Sequence, residues 1–159
     1  MKNITRIVMI VVTCLVVGYF SGIVTRGSIE TWYPTLVKPS FNPPNWLFAP
    51  VWSTLYIMMG IAAGMVWNRI DFEREAVKRA LLFFAIQLGL NALWSFLFFG
   101  LHNVLLALIE LIILWLMIYE TYQSFRKIHK IAGYLLLPYL AWVTFAGVLN
   151  ASIWQLNQH

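Results

Sequence analysis

Little in this chain can do ordinary active-site chemistry. Its 159 residues include one cysteine, three histidines and six acidic residues. A lone cysteine, Cys14, excludes an intramolecular disulfide and any cysteine-rich metal motif. The sequence has no HExxH, CxxC or Ser-His-Asp pattern, no carboxylate pair and no phosphate-cradling glycine loop. Charge is scarce too: 11% of residues are charged, against about 25% in a soluble domain. With 61% hydrophobic residues and a mean hydropathy of +0.76, the chain cannot hide its apolar surface in one small core. The bilayer must be part of its solvent.

What the chain has instead is five apolar stretches, each long enough for a helix to cross the hydrocarbon core, which takes about 20 residues. The pattern predicts an all-α membrane protein, one domain over 1–159, with helices near 7–25, 47–67, 80–101, 104–124 and 131–156. Lipid offers no partner to open backbone groups, and no barrel-like alternation is present. Pro50 falls in the first turn of the second span, where a missing N–H does little harm, and Pro138 interrupts the fifth. Lys2 and Arg6 precede the first apolar run as in a signal peptide. That run is long for the role and no small-x-small site follows, so it reads as a span.

The net charge of +5 does not point to nucleic acid, because the basic residues cluster between spans, where they set orientation. Lys2, Arg6, Arg69, Arg74, Lys78, Arg79, Arg126, Lys127 and Lys130 fall on one side; only Arg26 and Lys38 fall on the other. This bias predicts a cytoplasmic N-terminus, and an external C-terminus and first loop. The connector around His102 and Asn103 is very short, so the third and fourth helices must be antiparallel neighbours. No repeat is evident, which argues against an inverted-repeat transporter.

The first loop, 26–46, is unusual. Between Trp32 and Trp52 the chain packs three tryptophans and five prolines. A rigid aromatic connector points to a cover over something apolar. Three helix faces share that character. Trp52, Tyr56, Gly60, Ala63 and Trp67 recur at helical spacing on the second span. Gly60 and Gly64 form a GxxxG motif, which permits close approach within the bundle or between subunits. Gln87, Asn91, Trp94 and Ser95 form a polar and aromatic stripe on the third, followed by Phe98. Two carboxamides there must face the bundle, to bond another helix or a ligand. On the fifth span Pro138, Tyr139, Trp142, Ala146, Leu149 and Asn150 line a face. Glu110 lies about two turns into the fourth helix and needs a proton, a partner or water at that depth. Glu120, near the helix end, is expected to snorkel. His102, His129 and His159 lie in connectors or at the terminus, so none is placed to ligate a haem iron inside the bundle. No metal site and no cofactor are predicted.

Together these residues resemble one family. Trp32 and Tyr33, Lys38 and Pro39, Pro43 and Pro44, Trp46, and the run Val51 to Tyr56 begin the likeness. Gln87, Leu88, Asn91, Trp94, Phe98, Phe99 and Gly100 continue it, and Pro138, Tyr139, Trp142, Phe145, Ala146, Leu149 and Asn150 end it. The pattern resembles the translocator protein family, also called the peripheral benzodiazepine receptor or tryptophan-rich sensory protein family. The resemblance implies a five-helix bundle whose pocket is closed by the first loop. It implies binding of porphyrins and benzodiazepine-site ligands, and often a homodimer. It also implies a link to tetrapyrrole regulation, and in some members light- and oxygen-dependent breakdown of protoporphyrin. By this likeness Trp52, Asn91, Trp94, Trp142 and Ala146 belong to the pocket. Trp32, Pro43, Pro44 and Trp46 belong to the lid, and Glu110 falls where the family has an acidic residue. One departure stands out. The sterol-recognition pattern on the last helix of animal members needs a tyrosine and then a basic residue, and the segment 149–155 has neither. The resemblance therefore does not extend to high-affinity cholesterol binding. A matching pattern at Leu116, Tyr122 and Arg126 is of a kind that arises often by chance. The charge bias and short N-terminus fit a bacterial plasma membrane.

The candidate ligand contacts are thus Trp32, Trp46, Trp52, Tyr56, Gln87, Asn91, Trp94, Trp142, Phe145, Ala146, Leu149 and Asn150. Pro43 and Pro44 shape the lid. Trp52 and Trp142 are catalytic candidates only if the guest is degraded. The leading expectation is a membrane receptor or sensor for a porphyrin or another planar amphiphile. A porphyrin-degrading enzyme and an amphiphile transporter are the alternatives.

Overall fold

The computed structural model describes residues 2–158; His159 and the side chain of Lys2 lie outside the described residues. Five helical spans are long and apolar enough to cross a membrane. They are α1 (Lys2–Ile29), α2 (Asn45–Trp67), α3 (Arg74–Ser95), α4 (Val104–Ile128), and a fifth made of α5 (Lys130–Tyr134) and α6 (Leu137–Leu156). Among the described residues there is no β-strand. Large apolar side chains such as Val8, Val12, Tyr19, Ile109, Ile112 and Leu116 face outward. Lipid, unlike water, makes that arrangement favourable.

The ends of the spans have local causes. At the start of α4 the Asn103 side chain accepts a hydrogen bond from the Leu106 amide at 2.9 Å. His129 Nδ1 receives the Ala132 amide at 3.4 Å where α5 begins. The tight reversal between α3 and α4 needs one left-handed residue, His102, at φ 54°. Pro138 sits in the first turn of α6, and the break falls just before it, at Leu135 and Leu136. Proline has no N–H for the Tyr134 carbonyl, and its ring crowds that oxygen, so the helix stops and restarts. The last turn of α3 widens into a π turn over Phe96–Gly100, where the Leu101 amide reaches back to the Phe96 carbonyl at 2.8 Å.

Around the bundle the order is α1, α2, the α5–α6 span, α4, α3, with α3 closing against α1. The α1–α2 seam is the closest. A Cβ added at Gly60 would lie 2.5 Å from the Val11 Cα, and one at Gly64 would lie 2.5 Å from the Ile7 Cα. The GxxxG motif therefore serves the bundle's own packing, letting two backbones touch.

Two apolar clusters fill the interior. The larger includes Cys14, Met59, Ala62, Ala63, Val66, Ala80, Ile118 and Phe125 and occupies the half with the basic connectors. The smaller joins Tyr33, Leu97, Phe98, Phe99, Ala107, Leu149 and Ile153 beneath the first loop.

Candidate functional site: an aromatic cavity beneath the first loop

A cavity of about 480 Å³ opens in the loop-side half of the bundle, within the range of small-molecule sites. Four spans wall it. From α2 come Phe48, Trp52 and Tyr56; from α3 and its π turn, Trp94, Ser95, Phe98 and Phe99. From α6 come Trp142, Phe145, Ala146, Leu149, Asn150 and Ile153. The fourth wall is α1, through Gly18, Ser21, Gly22 and Thr25. Those four positions fall at steps of three and four, so they share one face. Small size serves them differently: Gly18 admits a neighbouring ring and Gly22 leaves room. A Cβ at Gly18 would lie 2.5 Å from the Tyr56 ring, whereas one at Gly22 would meet nothing within 4 Å.

The floor is a hydrogen-bond chain linking α2, α3 and α6. Tyr56 Oη donates to Asn91 Oδ1 at 2.5 Å, and Asn91 Nδ2 donates to Tyr139 Oη at 2.9 Å. Tyr139 Oη in turn donates to Gln87 Oε1 at 2.8 Å. Gln87, Asn91, Tyr56 and Tyr139 are all buried. A polar group in such surroundings is costly unless bonded, and here each helix satisfies its neighbour.

The tryptophans differ in how they are held. Trp94 Nε1 donates to Asn150 Oδ1 at 3.2 Å, and Asn150 Nδ2 donates to the Val104 carbonyl at 2.9 Å. Trp94 is thereby fixed to α6. Trp52 packs against Tyr56 and Tyr139, with ring centres 5.8 and 6.3 Å away. Trp142 packs against Phe145 and Phe48, at 5.5 and 6.3 Å. Neither Trp52 nor Trp142 has a hydrogen-bond partner for its indole N–H among the described residues.

The roof is buttressed rather than loose. Tyr33, at the loop's short 3₁₀ turn, is buried and donates to Asn42 Oδ1 at 2.6 Å. Burial pushes its phenol up to about 12. The Lys38 ammonium donates to the Tyr33 and Leu36 carbonyls at 2.9 and 3.0 Å. Asn157, just past α6, grips the amide and carbonyl of Val37 at 3.0 and 2.9 Å. Ser28 Oγ donates to the Phe99 carbonyl at 2.6 Å.

Of the residues singled out from sequence, Trp52, Tyr56, Trp94, Trp142, Phe145, Ala146, Leu149 and Asn150 line the cavity together. Gln87 and Asn91 lie under its floor. Trp32 stacks on His102 (ring centres 4.2 Å, planes 14° apart) and braces Phe98 at 5.6 Å, outside the lining. Trp46 is 72% exposed. Pro43 and Pro44 shape the entry to α2, with Pro44 at its N-cap position. Glu110 is 5% exposed and both its oxygens are buried without a partner, yet it does not line the cavity. No histidine lines it, and no group of three or more metal-ligating residues occurs among the described residues. Sequence reasoning missed the α1 wall, Arg26 included. The spacing of Gly18, Ser21, Gly22 and Thr25 was the available signal.

The fold and cavity define an integral membrane protein with an interior site suited to an apolar guest. Residues 10–155 match the TspO/MBR family, and the chain belongs to that family. It is 43% identical over 156 residues to a tryptophan-rich protein TspO of Chlorobaculum tepidum, covering 98% of each chain. It is 40% identical over 155 residues to protein CrtK of Rhodobacter capsulatus, covering 98% of this chain and 94% of that one. A translocator protein of Bos taurus is 42% identical over 142 residues, covering 89% of this chain and 83% of that one.

Proposed function

We propose that this protein is a membrane receptor or sensor that takes a porphyrin, or another flat amphiphile of that shape, into the loop-side cavity. One observation carries the reading: Trp52, Trp94 and Trp142, from three separate spans, line one cavity beneath a braced loop. Broad aromatic faces suit a planar apolar guest, and two indole N–H groups remain to meet its polar atoms. Smaller planar ligands of the benzodiazepine-site kind would use the same walls. Absorbance and tryptophan-quenching titrations of the purified protein with protoporphyrin test this. Replacing both Trp52→Phe and Trp142→Phe is expected to weaken binding at least tenfold. Unchanged affinity would overturn the assignment of the cavity.

A second reading rests on the same two residues. Trp52 and Trp142 are the cavity tryptophans whose N–H edges are uncommitted, which is where a light-excited guest would meet an oxidisable ring. Illumination in air with bound protoporphyrin should then yield a bilin-like absorbance that is lost in the two phenylalanine variants and kept in Asn91→Ala. Equal bleaching by an unrelated membrane protein would dismiss it.

The charge bias supports a cytoplasmic N-terminus, which places the cavity mouth on the outer side. A reporter fused at the C-terminus that is active only outside the cytoplasm should be active.

A further inference from the structure

The cavity's polar inventory is one-sided. Ser21 and Thr25 donate to the Val17 and Ser21 carbonyls of their own helix, at 3.0 and 2.9 Å. Tyr33, Tyr56, Trp94 and Asn150 are committed to the bonds described above. Lys38, the other basic residue near the loop, spends its ammonium on two backbone carbonyls. The polar lining side chains left without a hydrogen bond among the described residues are Trp52, Trp142, Ser95, Asn45, Tyr19 and Arg26, the last three exposed at the cavity's edge. No aspartate, glutamate or histidine lines it. Trp52, Trp142 and Arg26 can only donate, the other three can donate or accept, and Arg26 carries a full positive charge.

Arg26 lies in the last turn of α1. Among the described residues its side chain, which is exposed, has no ion pair and no hydrogen bond. Its position is odd for an acid-binding site, because the carbonyl end of a helix repels anions. The guanidinium reverses that local field and offers a fork matched to a carboxylate. Gly18, which touches Tyr56 at the floor, and Arg26 are eight residues apart, about 12 Å along α1 at 1.5 Å per residue. A ring system held between Trp52 and Trp142 above that floor would bring a side-chain acid to the level of Arg26.

We propose that Arg26 anchors a carboxylate of the bound guest, so that the cavity selects planar amphiphiles carrying an acid group and turns that group toward the loop-side end of α1. This rests on the porphyrin-type reading above and adds to it a charge requirement and an orientation. The free donors of Trp52 and Trp142 would meet the guest's remaining acceptors. A neutral planar molecule would fill the apolar walls but leave the guanidinium without a partner.

The experiment compares protoporphyrin with its dimethyl ester on the full chain in zwitterionic micelles, for the native protein and for Arg26→Gln and Arg26→Lys. The native protein is expected to bind the free acid about tenfold more tightly than the diester. Arg26→Gln should lose that preference by weakening the acid alone, and Arg26→Lys should keep part of it. If neither compound binds, the porphyrin reading itself fails. If both bind and Arg26→Gln affects them equally or not at all, the anchor fails while the cavity stands. Arg26 could also hold a lipid phosphate, so the titration is repeated with phosphatidylglycerol added. If Arg26→Gln reduces phosphatidylglycerol association and leaves the acid preference intact, Arg26 is a headgroup anchor and the proposal falls.

Discussion

The two halves of the bundle are built from the same five spans and pack in opposite ways. In the half with the basic connectors, small residues bring backbones together: Gly60 and Gly64 against α1, Gly133 against the Arg126 backbone, and Ala62, Ala63, Ala80 and Ala132 fully buried. In the loop-side half, Gly22 on α1 faces open space, and large rings from α2, α3 and α6 stand around it. Glycine closes a seam in one half and makes room in the other. Close packing in lipid relies on contact rather than on expulsion of water, so a bundle that keeps a cavity needs a half that is sealed.

Glycine substitutions are the sharpest way to break this comparison. Gly60→Leu has nowhere to go, since even a Cβ there meets the Val11 backbone at 2.5 Å. It should cost at least about 3 kcal/mol, lowering Tm by on the order of 6–12 °C in a thermal melt of the purified protein. Gly22→Ala, on the open face of α1, should leave Tm unchanged or raise it slightly, because alanine favours a helix by about 1 kcal/mol. Its effect should appear in the ligand titration instead, as a lost fraction of the cavity. Equal Tm losses from the two would erase the distinction between the halves.

The next effect has the opposite sign. Glu110 faces inward on α4 with neither carboxyl oxygen partnered. An unbonded polar group buried among apolar side chains costs about 1–3 kcal/mol by protein measurements. Glu110→Leu, of similar bulk, should therefore raise Tm by a few degrees. Ligand affinity should be unmoved, because the residue is outside the cavity lining. A fall in affinity with Tm unchanged would give Glu110 a role in the site.

The five spans were legible because length and apolarity alone decide whether a helix can cross a bilayer. The interior faces of α2, α3 and α6 were legible because tryptophan, tyrosine and carboxamides stand out in apolar runs. The α1 wall was not, since Gly18, Ser21, Gly22 and Thr25 carry no such mark within a helix apolar on every side. Spacing puts the α3 stripe on one face, but a single turn divides it: Gln87 and Asn91 lie under the floor, while Trp94 and Ser95 border the space. Depth along a helix depends on where its neighbours end, which spacing cannot show. Trp32 and Trp46 sit in one aromatic loop, and sequence alone gives them one role in the lid. Only packing shows that one braces His102 and the other is exposed.

A smaller effect separates floor from wall. Asn91→Leu removes the acceptor for Tyr56 and the donor to Tyr139. Hydrogen bonds between membrane helices are worth about 0.6 kcal/mol on average, so two lost bonds should lower Tm by only a few degrees. Porphyrin affinity should fall much less than for Trp142→Phe, since the carboxamide supports Tyr56 without lining the cavity. A loss as large as that of the tryptophan variant would mean that Asn91 meets the guest.

The smallest effect belongs to the roof. Tyr33 keeps its proton up to about pH 12 because burial disfavours the phenolate, whereas an exposed tyrosine releases it near pH 10. Between those values the folded loop holds a proton that the opened loop has lost. Stability of the closed roof is therefore complete below about pH 10 and declines as pH rises toward 12. The decline should stay local, because the Tyr33 hydroxyl bonds to Asn42 within the same loop while the spans beneath carry the rest of the fold. Proteolysis or hydrogen exchange across 30–44 should accelerate over that interval while the α1–α2 seam stays protected. Tyr33→Phe has no phenol to titrate, so it should be somewhat looser at neutral pH, for want of the Asn42 bond, and should change less across the alkaline range than the native loop. If native protein and variant open with the same pH profile, the alkaline opening arises elsewhere in the loop, and the buried phenol at Tyr33 is not what makes the closed roof pH-sensitive.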